Sequence, residues 1–312
     1  MDASVPQLEI EPAVPPQRQS SWRRVSRNLG VRIGGAVLLL LALVSILAPW
    51  LGTVDPSLLD PANRDLLPRS SGDITQLTGD TLRHTFWMGT DSYGRDIYSR
   101  VLYGGRVSLV VGVTVAALSL AIGLVIGLTA GYVRWLDSVV MRVMDGMMAI
   151  PGILLAIALV SLWRASLLTV ILAITVPEIP RVTRLVRSLV LSIREEPYVE
   201  AAVSVGTSTV QMLYRHVFPN TLAPLIVQGT YVCALAILVE AILSFLGVGL
   251  PADVPTWGNI MAEGRLQFNQ YPHNVFYPGA FLALTVLAVN MLGDGLRDTL
   301  DPRFNKRGDR PA

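Results

Sequence analysis

The sequence predicts an all-α integral membrane protein with six transmembrane helices and both termini in the cytoplasm. Three observations carry that expectation. The 312 residues are 52% hydrophobic and only 15% charged, against about 25% charged in a soluble domain. The apolar residues are gathered into long runs without Asp, Glu, Lys or Arg, each near the ~20 residues that a helix needs to cross ~30 Å of hydrocarbon. Lys and Arg are distributed unequally between alternate connecting segments, as the positive-inside rule requires.

The composition excludes a soluble enzyme of ordinary make-up and a disordered chain. A formal net charge of +2 gives no reason to expect a nucleic-acid partner. Cys233 is the single cysteine, so no disulfide, iron–sulfur cluster or thiolate zinc site can form within the chain. His84, His216 and His273 are the only histidines and lie far apart in sequence.

Residues 1–30, rich in Pro, Gln and Ser at their start, read as a disordered cytoplasmic tail. Residues 31–51 form the first anchor, with Ile33 to Trp50 uncharged. Ala48-Pro49-Trp50-Leu51 follows its apolar core in place of a small-residue cleavage site, which favours a retained anchor over a signal peptide. Residues 52–106 read as an extracytoplasmic loop. Its end, with Ile97 and Val101 at helical spacing between Arg95, Asp96, Ser99 and Arg100, suits a short amphipathic helix lying in the interface.

Residues 107–302 hold five further helices. The runs are Val107 to Val133, Gly146 to Trp163, Ala165 to about Leu185, His216 to Val239, and Asn274 to Gly293. The fourth span is interrupted by Pro177, Glu178, Pro180, Arg181 and Arg184. It is still needed, because without it the basic stretch from Arg181 to Arg215 would face outward. This topology puts 17 of the 25 basic residues on the cytoplasmic side. Trp257, Ile260, Met261 and Leu266 can form a second short outer helix, and residues 303–312 are a cytoplasmic tail.

Charges inside spans need a reason. Glu178 can line a pathway and meet a substrate amine, or pair with Arg181 or Arg184. Glu240 is expected near the outer surface and exposed. Asp145 is expected to pair with Arg142, and Asp294, Arg297, Asp298 and Asp301 form a charge cluster at the end of the last span. Pro151, Pro177, Pro180, Pro224 and Pro278 kink or start spans. Gly123, Gly127 and Gly131 recur every fourth residue, which permits close helix packing within the chain or against a second subunit.

Between spans four and five, residues 194–219 read as helix, tight turn, helix. Pro197 suits a first helical turn, Gly206 a left-handed helix end, and Thr207 or Ser208 the next cap. Glu200-Ala201-Ala202, then Gly206, then Pro219 thirteen residues on, resembles the EAA loop of permease subunits in bacterial ATP-binding-cassette importers. Where the general pattern has an Ile and a Leu shortly before the proline, this chain has His216 and Phe218. The stretches Gly89-Thr90-Asp91 to Arg100, Ser244-Phe245-Leu246-Gly247, Thr256-Trp257-Gly258 and Leu292-Gly293-Asp294-Gly295-Leu296-Arg297-Asp298 are similar to the branch for dipeptides, oligopeptides, glutathione and nickel. The resemblance runs from about Ile33 to Arg303 and is to the C-type subunit.

The resemblance implies an inner-membrane heterodimer of two permease subunits, two cytoplasmic ATPase subunits and an extracytoplasmic solute-binding protein. It implies that Glu200, Ala201, Ala202, Gly206 and Pro219 belong to a coupling helix docked on an ATPase. The residues agree independently on one point. The single lysine, Lys306, follows no glycine-rich loop, so a phosphate-cradling loop of the Gly-Lys-Ser/Thr kind is missing. ATP and magnesium are then expected on the partner subunits, with no cofactor in this chain. A secondary transporter would instead call for a repeated half and intramembrane relays, and an enzyme for a His/Asp/Cys constellation.

Overall fold

The computed structural model describes residues 25–75 and 81–300, and the expectations for the extreme termini lie outside them. The first helix, α1 (Leu29–Ile46), starts where the Asn28 side chain accepts from the amides of Gly30 and Val31. Its far end is closed by Arg106, whose guanidinium donates to the carbonyls of Ser45 and Ile46. This answers the carbonyls that every helix C-terminus leaves unpaired. A short 3₁₀ turn, Ala48–Trp50, follows.

The segment that follows contains an antiparallel hairpin, β1 (Ser70–Thr75) and β2 (Thr81–Phe86), with Ser70 opposite Phe86 and Ile74 opposite Leu82. The all-α expectation missed it. Neither strand alternates cleanly between apolar and polar residues, so the period-2 signal of a strand is weak.

Helix α2 (Ile97–Tyr132) is one unbroken helix of 36 residues capped by Asp96, about 54 Å long. The separate interfacial helix expected at its start is therefore corrected. Ile97 and Val101 are fully buried against Ile237, Trp257 and Ile260 and form the N-terminal extension of a long apolar helix.

Helices α3 (Arg134–Met148) and α4 (Gly152–Leu162) stand where the third span was expected over Gly146 to Trp163, with Pro151 just before the start of α4. They meet at 86° across a break that contains Pro151. Alone, α4 is about 16 Å long, too short to cross a bilayer. Helix α5 (Leu167–Arg194) carries both Pro177 and Pro180 inside one continuous run and extends nine residues beyond the expected end at Leu185. It lies along α2 with Val182, Val186 and Val190 over Gly123, Gly127 and Gly131 respectively. Of the two partners left open for that glycine series, α5 of the same chain fills the place.

After α5 come α6 (Pro197–Ser204), α7 (Thr209–Met212), a π-helical turn (Leu213–Val217) and α8 (Phe218–Phe245). The short α9 (Trp257–Gly264) and the long α10 (His273–Leu300) complete the described chain. Among the described residues, four helical runs are long and apolar enough to cross a membrane: α1, α2, the run Thr209–Phe245, and α10. The bent pair α3–α4 makes a fifth. The protein is thus a mostly helical, multi-pass membrane protein. Its main core lies where α2, α5, α4 and α8 meet, around Val111, Val115, Val160, Val182 and Val232.

Candidate functional site

At the end of the bundle where α5 stops and α8 begins, the chain forms a small helical bracket. Pro197 occupies its first turn, where a missing N–H costs nothing. Gly206 has φ +85°. Its amide donates to Val203 O at 2.9 Å and that of Thr207 to Ala202 O at 3.1 Å. These two bonds are the closing pair of a Schellman cap. The Ser208 hydroxyl then accepts from the Gln211 amide at 3.4 Å to start α7.

The bracket is anchored at three buried points, Val199, Met212 and Val217. Asn220 ties it to the start of α8 by donating to Tyr198 Oη at 3.2 Å and to His216 O at 2.7 Å. Partial burial, and then the nearby Glu196 carboxylate, push the Tyr198 hydroxyl above its ordinary range, so the phenol stays neutral. Glu200 and Ala201 are exposed and Ala202 half-buried. Glu200 forms no ion pair with a described residue; it lies in the first turn of α6, where the helix dipole favours a carboxylate. Pro219 is exposed in the first turn of α8. The crest of the bracket is apolar, with Val205 85%, Val210 77% and Tyr214 76% exposed.

The second candidate lies at mid-height. Glu178 is buried, and Arg181 Nη1 donates to its Oε1 and Oε2 at 3.3 and 3.2 Å. The ion-pair alternative is therefore formed, with Arg181 and not Arg184. Arg184 pairs instead with Asp145, and Arg187 with Asp137. The expected Asp145–Arg142 pair is corrected accordingly: the bend after α3 sets that helix beside α5. A cavity of about 640 Å³ opens between α5, α8 and α10, lined among others by Leu185, Asn220, Gln228 and Arg297.

One more charge differs from expectation. Glu240 is fully buried, with Ser244 Oγ donating at 2.8 Å and Ser108 Oγ at 3.2 Å. Helix α8 runs on past it to Phe245, and α9 covers that end. Asp294, Arg297 and Asp298 form no ion pair with one another, and Asp301 lies outside the described residues.

One group was not read from the sequence. Asp91, Arg95, Arg100 and Glu263 form a buried ionic quartet. Asp91 Oδ2 accepts from Arg95 Nε and Arg100 Nη1, each at 2.7 Å. Glu263 Oε2 accepts from Arg100 Nη1 at 2.7 Å and also from Arg95. The quartet pins the loop before α2 to α9. The i,i+4 spacing of Asp91 and Arg95 was a signal for half of it; Glu263, far along the chain, gave none.

Residues 119–306 match the family model described as the binding-protein-dependent transport system inner membrane component. Residues 17–68 match the N-terminal transmembrane domain of oligopeptide transport permease C. The chain is 49% identical to a probable peptide ABC transporter permease of Sinorhizobium fredii over 93% of this chain and 95% of that protein. It is 39% identical to a dipeptide transport system permease of Alkalihalophilus pseudofirmus, covering 96% and 97%. A glutathione transport system permease of Escherichia coli is also 39% identical, covering 91% and 89%. Among solved structures, an inward-facing MetNI methionine ABC transporter aligns with TM-score 0.53 and 17% identity over 66% of this chain and 98% of that one, a likeness of fold.

Proposed function

This chain is a permease subunit of the binding-protein-dependent ABC importer family, a multi-pass inner membrane protein, and from that premise we propose that its cargo is a di- or oligopeptide or a related small solute such as glutathione or a nickel chelate. The names borne by the similar permeases support a peptide first.

In this reading α5 is a sixth crossing and the bent pair α3–α4 another. The N- and C-termini and the bracket face the cytoplasm, and the hairpin and the ionic quartet lie outside. The excess of arginine at the bracket end supports this orientation. A second, homologous permease completes the pathway as a heterodimer. Two ATPase subunits hold ATP and magnesium, and an extracytoplasmic binding protein delivers the cargo.

Coupling runs through the bracket. Glu200, Ala201, Ala202 and Gly206 present one small, stiff helix end, and Pro219 fixes the entry into α8. The observation that carries this is the exposed crest on a bracket pinned by Val199, Met212 and Val217. A rigid lever with an apolar outer face can pass motion from a partner into α5 and α8, which it joins. ATP binding on the partners biases the lever between inward- and outward-facing states.

Two measurements test the reading. Gly206→Asp and Glu200→Arg should each abolish co-purification of the ATPase and uptake, and retention of both activities in both variants would overturn the coupling role. A cysteine in place of Val205 should react with an impermeant maleimide only from the cytoplasmic side; reaction from outside would overturn the topology.

A further inference from the structure

We infer that Arg181 receives the free carboxylate of the cargo midway through the pathway, with Glu178 and Tyr231 holding its guanidinium ready; the inference rests on the peptide reading above. Arg181 stands fourteen residues into α5, about 21 Å along a helix rising 1.5 Å per residue. Tyr231 stands thirteen residues into α8, about 20 Å along from the opposite end. Both are therefore at mid-height of the bundle.

A cation at that depth does not face lipid; it faces protein or water. Yet the Arg181 side chain is 43% exposed, turned out of this chain's own packing. The face of α5 that bears it must border a wet space closed by a second protein surface. The cavity already described begins one helical turn away on both α5 and α8. Leu185 lies one turn beyond Arg181, and Gln228 one turn before Tyr231, and both line it.

The guanidinium is oriented but not saturated. Of its five N–H groups, those on Nη1 meet Glu178. The Tyr231 ring lies 5.9 Å from its central carbon, near enough for cation–π attraction. Nε and Nη2 have no partner among the described residues. A planar fork with an open edge suits a carboxylate, which it can bind through two parallel hydrogen bonds. Among the described residues, the cavity leading to it is lined by no carboxylate; its polar side chains are Asn220, Gln228 and a second arginine, Arg297. Among the described residues, an ammonium entering there would meet only Glu178, which is buried and already engaged. The end of a peptide that this groove selects is therefore its C-terminus.

The test uses proteoliposomes holding the complete transporter, with ATP and binding protein supplied. Two tripeptide probes carry a photoreactive side chain, one at the C-terminal and one at the N-terminal residue. In the nucleotide-trapped complex the C-terminal probe should label residues 178–185 or 227–231, and the N-terminal probe should not. Arg181→Gln should remove that labelling and lower tripeptide uptake about tenfold, while Arg181→Lys keeps the labelling and at least a third of the uptake. Equal labelling by both probes, labelling by neither, or C-terminal labelling that survives Arg181→Gln would overturn the inference. Absence of tripeptide uptake by the unaltered complex would instead overturn the peptide reading, and this inference with it.

Discussion

A β-carbon placed on Gly127 of α2 would sit 2.6 Å from the β-carbon of Val186 on α5. No real pair of side chains approaches so closely, so the two helices can meet only because position 127 has none. Gly123 under Val182 and Gly131 under Val190 repeat the arrangement one turn to either side. Lipid provides no hydrophobic drive for helices to associate, and close van der Waals contact along such small-residue faces takes its place. Gly127→Ala should therefore force α2 and α5 apart and cost about 1–3 kcal/mol, the usual penalty of overpacking. The check is the thermal midpoint of the purified complex in detergent. An unchanged midpoint for both Gly127→Ala and Gly127→Leu would mean that the helices do not pack in this register.

The buried quartet makes a different prediction. Arg100 and Asp91 are nearly inaccessible to solvent, and two cations are balanced by two carboxylates. Glu263→Gln leaves an excess buried positive charge, and breaking a buried pair from one side typically costs about 3–5 kcal/mol. The double variant Arg95→Met/Glu263→Gln restores neutrality and should recover part of that loss. Limited proteolysis of the loop before α2, which the quartet ties to α9, reads out both. Additive losses in the double variant would show that the charges do not act together.

The sequence carried the crossings well where the apolar runs were clean, as in α1, α2, α8 and α10. It carried the turn at Gly206 as well, since helix ends are written in local residue types. What stayed hidden depends on distant neighbours. Asp145 had Arg142 at helical spacing, yet the 86° bend gave it Arg184 instead. Glu240 looked like the outer end of a span because nothing local reveals that α9 folds over it. The hairpin at Ser70–Phe86 lacks alternation, and the true length of α5 was masked by its own arginines, of which Arg184 and Arg187 are paired with Asp145 and Asp137 of α3.

Glu240 supports a prediction that separates a packed carboxyl from a working charge. Its oxygens accept from Ser108 of α2 and from Ser244 one turn along α8, and no basic side chain pairs with it among the described residues. Glu240→Gln keeps a carbonyl oxygen and a similar shape, and the serine hydroxyls can rotate to suit it. It should leave membrane abundance and uptake within about twofold, an effect below the ~1 kcal/mol of one hydrogen bond. Glu240→Ala leaves two buried hydroxyls without an acceptor and should cost about 1–3 kcal/mol. Loss of uptake in Glu240→Gln at full abundance would show that the charge itself is used.

The bracket allows backbone geometry to be tested apart from contact. Gly206 sits at φ +85° with nothing among the described residues within 4 Å of where a β-carbon would stand. A side chain there meets no obstacle among the described residues, and the penalty within them is conformational. A residue other than glycine in the left-handed region costs roughly 1–2 kcal/mol, while asparagine is the side chain that best tolerates it at a helix end. Gly206→Asn should preserve the cap and Gly206→Val should fray it, which circular dichroism of the purified subunit is too coarse to see but amide exchange across residues 197–208 resolves. If the bracket couples an ATPase to the pathway, cargo-stimulated ATP hydrolysis should fall with Gly206→Val in proportion to that fraying. Should Gly206→Asn keep native exchange protection and still lose stimulation, the asparagine is colliding with the partner, and the docked surface lies directly over Gly206. Should both variants keep full stimulation, the lever does not pass through this turn.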